Sequence, residues 1–288
     1  MTNWYNHRDA MKRALNLPAS STGDHFNLDT ALEAGSRLID DWLGYHLYSA
    51  IETRHFTARD TQRLSLRQPL TSIVAIRTDY GGDGSYETTW STTDYRLWPY
   101  EATAESPPRP YWDIELRQNA SVAFPEGVDA GVEIAAAFGR FDIRTTSTAT
   151  LSTGLSATGA RLEVAGSTAL HPGQTIRIDN EDMFVEANGK SGSDTATTSG
   201  SVTVLRAQNG SSAATHSSGS AIQIFTYPLA DRAALYQAEH DFKRALADPA
   251  AGGDPFGREG MGDYSRTEGD LHPAVRRMLR SWRTPVIR

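Results

Sequence analysis

The sequence predicts an α+β protein: a helical bundle formed by N- and C-terminal helices, with a β-rich middle unit and an inserted small β module. Three observations lead to this prediction. Apolar residues recur at helical spacing near both ends, alternate at strand spacing between them, and become sparse in a Ser/Thr/Gly-rich stretch after about Arg144. We expect N-terminal helices plus a β unit over 1–144, the inserted module over 145–226, and C-terminal helices, a mobile loop and a docking tail over 227–288.

The N-terminal helical pattern is strongest over Asp29–Tyr48. Its apolar face consists of Leu28, Leu32, Gly35, Ile39 and Trp42. Thr30 and Glu33 have the spacing of a capping box, in which two side chains bond backbone amides at the start of a helix. A shorter helix is predicted over Trp4–Leu17, because Pro18 and the SSTG run that follows break the pattern.

Strand patterns fill the middle of the chain. From Ile51 onward, β-forming residues cluster in the segments RLSLRQPL, SIVAIRTDY and DYRLWPY. The segment YGGDGSY predicts a hairpin loop, because glycine adopts positive φ freely and aspartate tolerates turns. Two further strands are predicted on either side of a turn at Pro125–Gly127. The Ser/Thr/Gly-rich stretch is predicted to fold as well, since ARLEVAG, QTIRIDNEDMFVEA and VTVLRAQNG keep the strand alternation that a flexible linker lacks.

The C-terminal part is predicted to be helical over Asp231–Ala247 and again over His272–Trp282, where Pro273 lies in the first turn. A long polar, glycine-rich loop joins these two helices, and we expect it to be mobile. The apolar stripe of the last helix comprises Val275, Met278, Leu279 and Trp282.

The sequence predicts neither an enzyme nor a cofactor site. It has no cysteine, which excludes disulfides and thiolate metal sites. Its eight histidines form no HExxH motif, and neither a GxxxxGK[ST] phosphate loop nor a GxSxG nucleophile elbow occurs. No apolar run approaches the roughly 20 residues that span a bilayer, so no membrane partner is expected.

Two acidic clusters allow a calcium-binding alternative. They are Asp179, Glu181 and Asp182 in one segment and Asp79, Asp83 and Glu87 in another. Both lack the ligand spacing of an EF-hand loop, which ends in a bidentate glutamate. We therefore predict solvated hairpin tips rather than cation sites.

Two further groups of residues leave alternatives open. An aromatic cluster can bind a sugar or a partner protein if exposed, or form the core of a β unit if buried; strand alternation predicts that about half of it is buried. Its members are Trp90, Tyr95, Trp98, Tyr100, Tyr111 and Trp112. The basic C-terminus can be a solvated helix face, or contact an acidic protein or DNA. The net charge of −7 favours the protein contact.

The order of these segments resembles the head–tail connector (adaptor) proteins of tailed bacteriophages. Those proteins have an early helix with an Ala-Ser-Arg-x-Ile-Asp-like run, matched by Ala34–Asp40 with Gly35 in place of alanine. A strand with a proline-hydrophobic turn follows at Gln68–Ile73. A later strand ends in Phe-Gly at Phe138–Gly139, and a helix follows a Tyr-Pro pair at Tyr227–Pro228. A DY pair, Asp94 and Tyr95, lies between these strands.

The inserted stretch resembles a small β module found across phage structural proteins. Its signature is a hairpin with a glutamate, a V-x-R-x-x-x-G segment, and a histidine and a glycine before the last strand. Val204, Leu205 and Arg206 match the start of the V-x-R segment, and His216 and Gly219 match the later histidine and glycine. The resemblance implies that Arg206, Gly210 and His216 serve the fold rather than catalysis.

The resemblance implies a virion protein assembled in the host cytoplasm and located at the neck. It implies a homo-oligomer, commonly a dodecameric ring, that lies between the portal protein and a stopper or tail-completion protein while genomic DNA passes through the lumen. The C-terminal segment Leu271–Arg288 is implied to dock on the portal. The residues implied in that contact are Arg276, Arg277, Met278, Leu279, Arg280, Trp282, Arg283, Val286, Ile287 and Arg288. The alternatives are a stopper or tail-terminator protein of the same neck and a carbohydrate- or receptor-binding virion protein.

Overall fold

The computed structural model describes residues 3–19, 21–165, 169–186, 200–246 and 271–283. The helices in these ranges are α1 (Arg8–Ala14), α2 (His25–Leu43), α3 (Ala230–Leu246) and α4 (Pro273–Leu279), with 3-10 turns at Ala102–Ala104 and Arg280–Trp282. The strands are β1 (Ala50–Phe56), β2 (Arg63–Thr78), β3 (Thr88–Thr89), β4 (Tyr95–Trp98), β5 (Tyr111–Leu116), β6 (Val132–Phe138), β7 (Ile143–Leu151), β8 (Arg161–Ala165), β9 (Thr175–Ile178), β10 (Glu181–Val185), β11 (Ser201–Gln208) and β12 (Ala221–Thr226).

The predicted bundle of N- and C-terminal helices is wrong. Strands account for 36% of the described residues and helices for 23%, and the strands form two sheets. The helices do not close a core of their own: Leu28 and Leu32 of α2 and Phe242 of α3 share a buried cluster with Phe184 of strand β10. Apolar faces of short helices are too narrow to bury one another fully, so a sheet residue completes their core.

The chain forms two compact units. Unit 1 comprises Met1–Leu43 and Arg144–Arg288, and unit 2 comprises Gly44–Ile143. The N- and C-terminal helices therefore belong to one unit, although about a hundred residues separate their segments in sequence. The division into three segments that composition indicates stays a prediction.

Unit 2 is built on one antiparallel sheet. Its strand order is β1-β6-β2-β5-β4, and β3 pairs with β2. The pairing Arg77↔Thr89 closes a hairpin around residues 79–87, which confirms the hairpin loop predicted there. Inward-facing strand residues and three loop residues form the core of the unit, which consists of Ala58, Leu64, Leu66, Leu70, Ile76, Trp90, Tyr95, Ile114, Phe124, Val132, Ile134, Ala136 and Phe138.

Unit 1 contains a closed barrel with the strand order β10-β11-β8-β7-β12-β9. The barrel spans the Ser/Thr/Gly-rich stretch, so the periodic apolar residues of that stretch have a core to fill. They are Ala149, Leu151, Leu155, Leu162, Val164, Leu170, Ile176, Ile178, Met183, Val185, Val202, Val204 and Ile222. Closure removes free strand edges, which a small sheet rich in Ser and Thr would otherwise expose.

The helices of unit 1 differ in their limits from the predicted ones. Helix α2 begins at His25, so Thr30 lies inside it and its hydroxyl donates to the carbonyl of Phe26 at 2.8 Å. The predicted capping box is therefore wrong. The helix ends at Leu43, where Gly44 has a φ of +81°, a conformation that glycine adopts at little cost. The predicted mobile loop before α4 lies outside the described residues.

No helix among the described residues has the length and apolar character needed to cross a membrane.

Candidate partner-binding surfaces

The residues implied in portal docking fall into three groups. Leu279 is buried with Val275 on the inner side of α4, and Arg276, Met278 and Trp282 are partly buried. Arg277, Arg280 and Arg283 are exposed. Val286, Ile287 and Arg288 lie outside the described residues.

Helix α4 is held against α3 at its first turn. The amide of His272 donates to Oε1 of Gln237 at 2.8 Å, and Nδ1 of His272 accepts from the amide of Ala274 at 3.1 Å, which caps the helix. The rings of Tyr236 and His240 contact the His272 ring at centroid distances of 5.0 and 4.8 Å. These contacts fix which side of α4 faces outward.

The exposed side of α4 carries Arg277, Arg280 and Arg283, which we name the arginine stripe. Residues three apart are neighbours on a helix, and they nearly eclipse in the 3-10 turn that continues α4. The guanidinium of Arg283 lies 5.4 Å from the ring centroid of Trp42. The stripe makes no ion pair with any residue in the described ranges, so its charge faces solvent.

An opposite charge is concentrated at one end of unit 2. The loops 79–87 and 123–131 contain five carboxylates and no lysine or arginine. We name this the acidic tip; its carboxylates belong to Asp79, Asp83, Glu87, Glu126 and Asp129. The amide of Asp79 donates to the carbonyl of Gly131 at 2.9 Å, and the Tyr86 hydroxyl donates to the carbonyl of Ala130 at 2.8 Å. One backbone and one side-chain hydrogen bond therefore hold the two acidic loops together.

Asp79 organises the first of these loops. Its Oδ1 and Oδ2 accept from the amides of Gly82 and Gly84 at 2.6 and 2.8 Å. Burial raises the pKa of Asp79, but the backbone amides outweigh it and lower the pKa overall. Carboxylate oxygens of Asp79, Asp83 and Glu87 lie within 4.8 Å of one another. Both Asp79 oxygens thus bind backbone amides of the predicted hairpin loop.

The second acidic cluster is not a solvated hairpin tip, as predicted, but part of a buried ionic network. Glu181 and Asp182 are each 1% exposed, and only Asp179 faces solvent. Nε and Nη2 of Arg206 donate to the two oxygens of Glu181, both at 2.6 Å. Nε2 of His216 lies 2.9 Å from the same carboxylate. This network joins β10 to β11 and to the loop before β12.

The Glu181 carboxylate has its hydrogen-bonding capacity filled. The amides of Ala207 and Ala214 add two further bonds, at 3.1 and 2.9 Å. Burial alone would raise the pKa of Glu181, but Arg206, the Ala214 amide and His216 lower it to about 2. A carboxylate that is ionised and fully bonded offers no lone pair to a metal or substrate. This supports a role in the fold for Arg206 and His216.

The run that carries the family resemblance holds the N-terminal segment. The Ser36 hydroxyl accepts from the amide of Tyr5 at 3.1 Å, and Nη2 of Arg37 donates to the carbonyl of Asn3 at 3.0 Å. Asp40 accepts a hydrogen bond from the Tyr5 hydroxyl. We name this contact the N-terminal clamp. Sequence patterns do not identify it, because Asn3 and Tyr5 are over thirty residues away and match no motif.

A histidine pair lies at the start of α1. The rings of His7 and His171 stack at a centroid distance of 4.5 Å, and Nδ1 of His171 lies 2.8 Å from a carboxylate oxygen of Asp9. Nδ1 of His7 accepts from the amide of Ala10 at 3.3 Å and caps the helix. Burial, then the charges of His171 and Arg13, lower the pKa of His7 to about 4. His7 is therefore neutral at pH 7 and can accept this bond.

The aromatic cluster divides between core and surface. Trp90 and Tyr95 are buried, Tyr111 and Trp112 are partly buried, and Trp98 and Tyr100 are exposed. The exposed pair makes an edge-to-face contact at 4.6 Å, and the Tyr100 hydroxyl donates to Glu115 at 2.6 Å. About half the cluster serves the core, as strand alternation predicts.

Comparisons with known proteins identify no relative: no family model, curated protein or solved structure matches this chain.

Proposed function

We propose that this chain is a structural neck protein of a tailed bacteriophage that forms an adaptor ring between the portal and the next neck or tail protein. The proposal rests on the structural role of the run Ala34–Asp40. The residues that resemble the adaptor motif build the N-terminal clamp. A motif that serves as scaffold rather than as a reactive site is what an assembly subunit requires.

The buried ionic groups support a role without catalysis. Glu181, the most deeply buried carboxylate of the barrel network, is saturated by its own neighbours. Catalytic acids and bases need an accessible lone pair or proton near a substrate cavity. We therefore propose an assembly mechanism that uses no cofactor.

Charge supports a place on the path of DNA. The chain has a net charge of −7, and a ring of such subunits would repel DNA that passes through its lumen. In this proposal the basic segment Leu271–Arg288 reaches the portal through its end, the residues after Arg283. A strongly basic lumen in an assembled ring would contradict this part of the proposal.

A truncation tests portal docking. Deleting the whole segment from Leu271 would remove Val275 and Leu279, which are buried on α3, and would confuse misfolding with lost docking. We therefore choose a chain that ends at Arg283. It is expected to unfold at the same denaturant concentration as the full chain and to leave filled heads without tails in a complementation assay.

The control is an exposed substitution in the barrel, Arg161→Ala, which is expected to keep the yield of infectious particles. Wild-type yields from the truncated chain would reject the docking role. Electron microscopy of particles labelled on this protein tests the location directly: label at the head–tail junction supports the proposal, and label elsewhere on the virion contradicts it.

The exposed aromatic pair favours one alternative from another class. Trp98 and Tyr100 have 40% and 45% of their surface exposed, and sugar-binding proteins stack such rings on their ligands. A glycan array separates this alternative from the adaptor proposal. Binding that Trp98→Ala abolishes would favour a carbohydrate- or receptor-binding virion protein. A stopper or tail-terminator position in the same neck is distinguished by which neighbour the labelled subunit contacts.

A further inference from the structure

Two surfaces of opposite charge occur on each copy of the chain. The segment 271–283, which ends in the arginine stripe, contains four arginines and no acidic residue. The acidic tip contains five carboxylates and no basic residue. Four of those carboxylates, on Asp83, Glu87, Glu126 and Asp129, are exposed.

Neither surface is neutralised within the part of the chain that the structure describes. Two partly buried acids elsewhere in unit 2 have partners on neighbouring strands: Glu133 pairs with Arg77 at 3.2 Å and Glu115 with Arg63 at 3.3 Å. Asp83, Glu87 and Glu126 have no such pair with a described residue. The arginine stripe likewise lacks one. As far as the described residues show, both surfaces are therefore unpaired, as a surface that binds a partner of opposite charge requires.

Both surfaces are also rigid enough to dock. Helix α4 is fixed to α3 through His272 and Gln237, and the acidic loops are fixed to each other through Asp79 and Gly131. Charged groups held in place lose less side-chain entropy on binding than groups on a flexible segment. Such complementary charge steers encounters and sets the register of an interface.

We propose that the arginine stripe of one copy binds the acidic tip of a second copy, head to tail. A two-fold contact of either surface with its own copy would bring like charges together, whereas a heterologous contact joins unlike surfaces and leaves one of each free at either end. Repetition of that contact gives a ring if the rotation closes. The inference rests on the proposed function, for which it supplies the contact between ring subunits. It leaves portal docking to the residues after Arg283.

The test is a set of charge reversals in the full chain, measured by sedimentation velocity over a range of protein concentrations. Wild-type protein is expected to self-associate, with a dissociation constant that rises about tenfold or more between low salt and roughly 0.5 M salt, because exposed charges are screened. The double variant Arg277→Glu/Arg280→Glu is expected to weaken association at least about tenfold. The double variant Glu87→Arg/Glu126→Arg is expected to weaken it to the same extent.

Two further chains keep the result interpretable. The chain that carries all four reversals has its complementarity restored, so it is expected to associate again, which misfolded variants would not do. Arg161→Glu with Arg232→Glu changes net charge as much as the stripe variant but at other exposed positions of unit 1. This control is expected to associate like wild type.

Three results would overturn the inference. They are a wild-type chain that is monomeric at every concentration, a control variant that associates as weakly as the stripe variant, and a chain with all four reversals that does not associate again. The proposed function fails separately. If the protein self-associates in a salt-sensitive way but the label is not at the neck, the adaptor role is rejected and this contact stands. If the label is at the neck but association does not depend on the arginine stripe, this contact is rejected and the adaptor role stands.

Discussion

At the scale of single residues, the ionic network in the barrel makes the sharpest prediction about stability. Glu181→Gln leaves the Arg206 guanidinium buried without its counter-charge, and breaking a buried pair costs about 3–5 kcal/mol. Denaturant unfolding should show a loss of that size. The matched control is Glu163→Gln in the same barrel, whose pair with Arg161 is exposed and is worth about 0–1 kcal/mol. Equal losses from the two variants would mean that burial is unimportant here.

His7 makes stability depend on pH. Its pKa is lowered from 6.5 to about 4, so the unfolded chain binds more protons between these values. The free energy of unfolding should therefore be highest above pH 6.5 and fall by at most about 3 kcal/mol as the pH drops toward 4. Urea titrations at several pH values measure this slope.

His7→Asn tests that assignment, because asparagine caps helices well and does not titrate. The variant should flatten the slope between pH 6.5 and 4. The variant should still lose free energy of unfolding below pH 4.5. That loss follows from the lowered pKa of Glu181, because this carboxylate stabilises the fold only while it is ionised. An unchanged slope in His7→Asn would refute the assignment.

At the scale of secondary-structure elements, one glycine sets the approach of α2 to α3. A Cβ added at Gly35 would lie 3.3 Å from the Ala234 carbonyl oxygen and 3.3 Å from the Ala238 nitrogen, both backbone atoms that cannot rotate away. Gly35→Leu should therefore destabilise the protein by more than about 2 kcal/mol in thermal or denaturant unfolding. Ala34→Leu, at the exposed neighbouring position, should change it by less than about 0.5 kcal/mol. A neutral Gly35→Leu would show that the two helices can separate.

At the scale of the whole molecule, unit 2 is the part that should fold by itself. It is one continuous stretch, Gly44–Ile143, and it contains all the residues of its own buried cluster. The excised stretch should unfold in one cooperative transition and give dispersed amide resonances. The excised barrel, residues 144–226, should be much less stable, because Phe184 packs on Trp4 and on residues of α2 and α3. A stable barrel and an unfolded unit 2 would contradict this division.

The sequence alone determined most of the strands and the apolar residues that fill both sheets. Alternation is a local signal, so ARLEVAG and the hairpin around Asp79 could be identified without knowledge of the rest of the chain. It also placed the last helix and its apolar stripe at Val275 and Leu279. It did not determine the fold class, because a helical period does not show whether a helix packs on another helix or on a sheet.

Only the tertiary structure decided which charges are buried and which are free. Asp179, Glu181 and Asp182 are indistinguishable as a run of acids, yet closure of the barrel buries two of them and brings Arg206 and His216 to Glu181. The N-terminal clamp and the acidic tip also join residues that are distant in sequence. Local patterns carry no information on such pairings, because the contacts arise only when the chain folds back on itself.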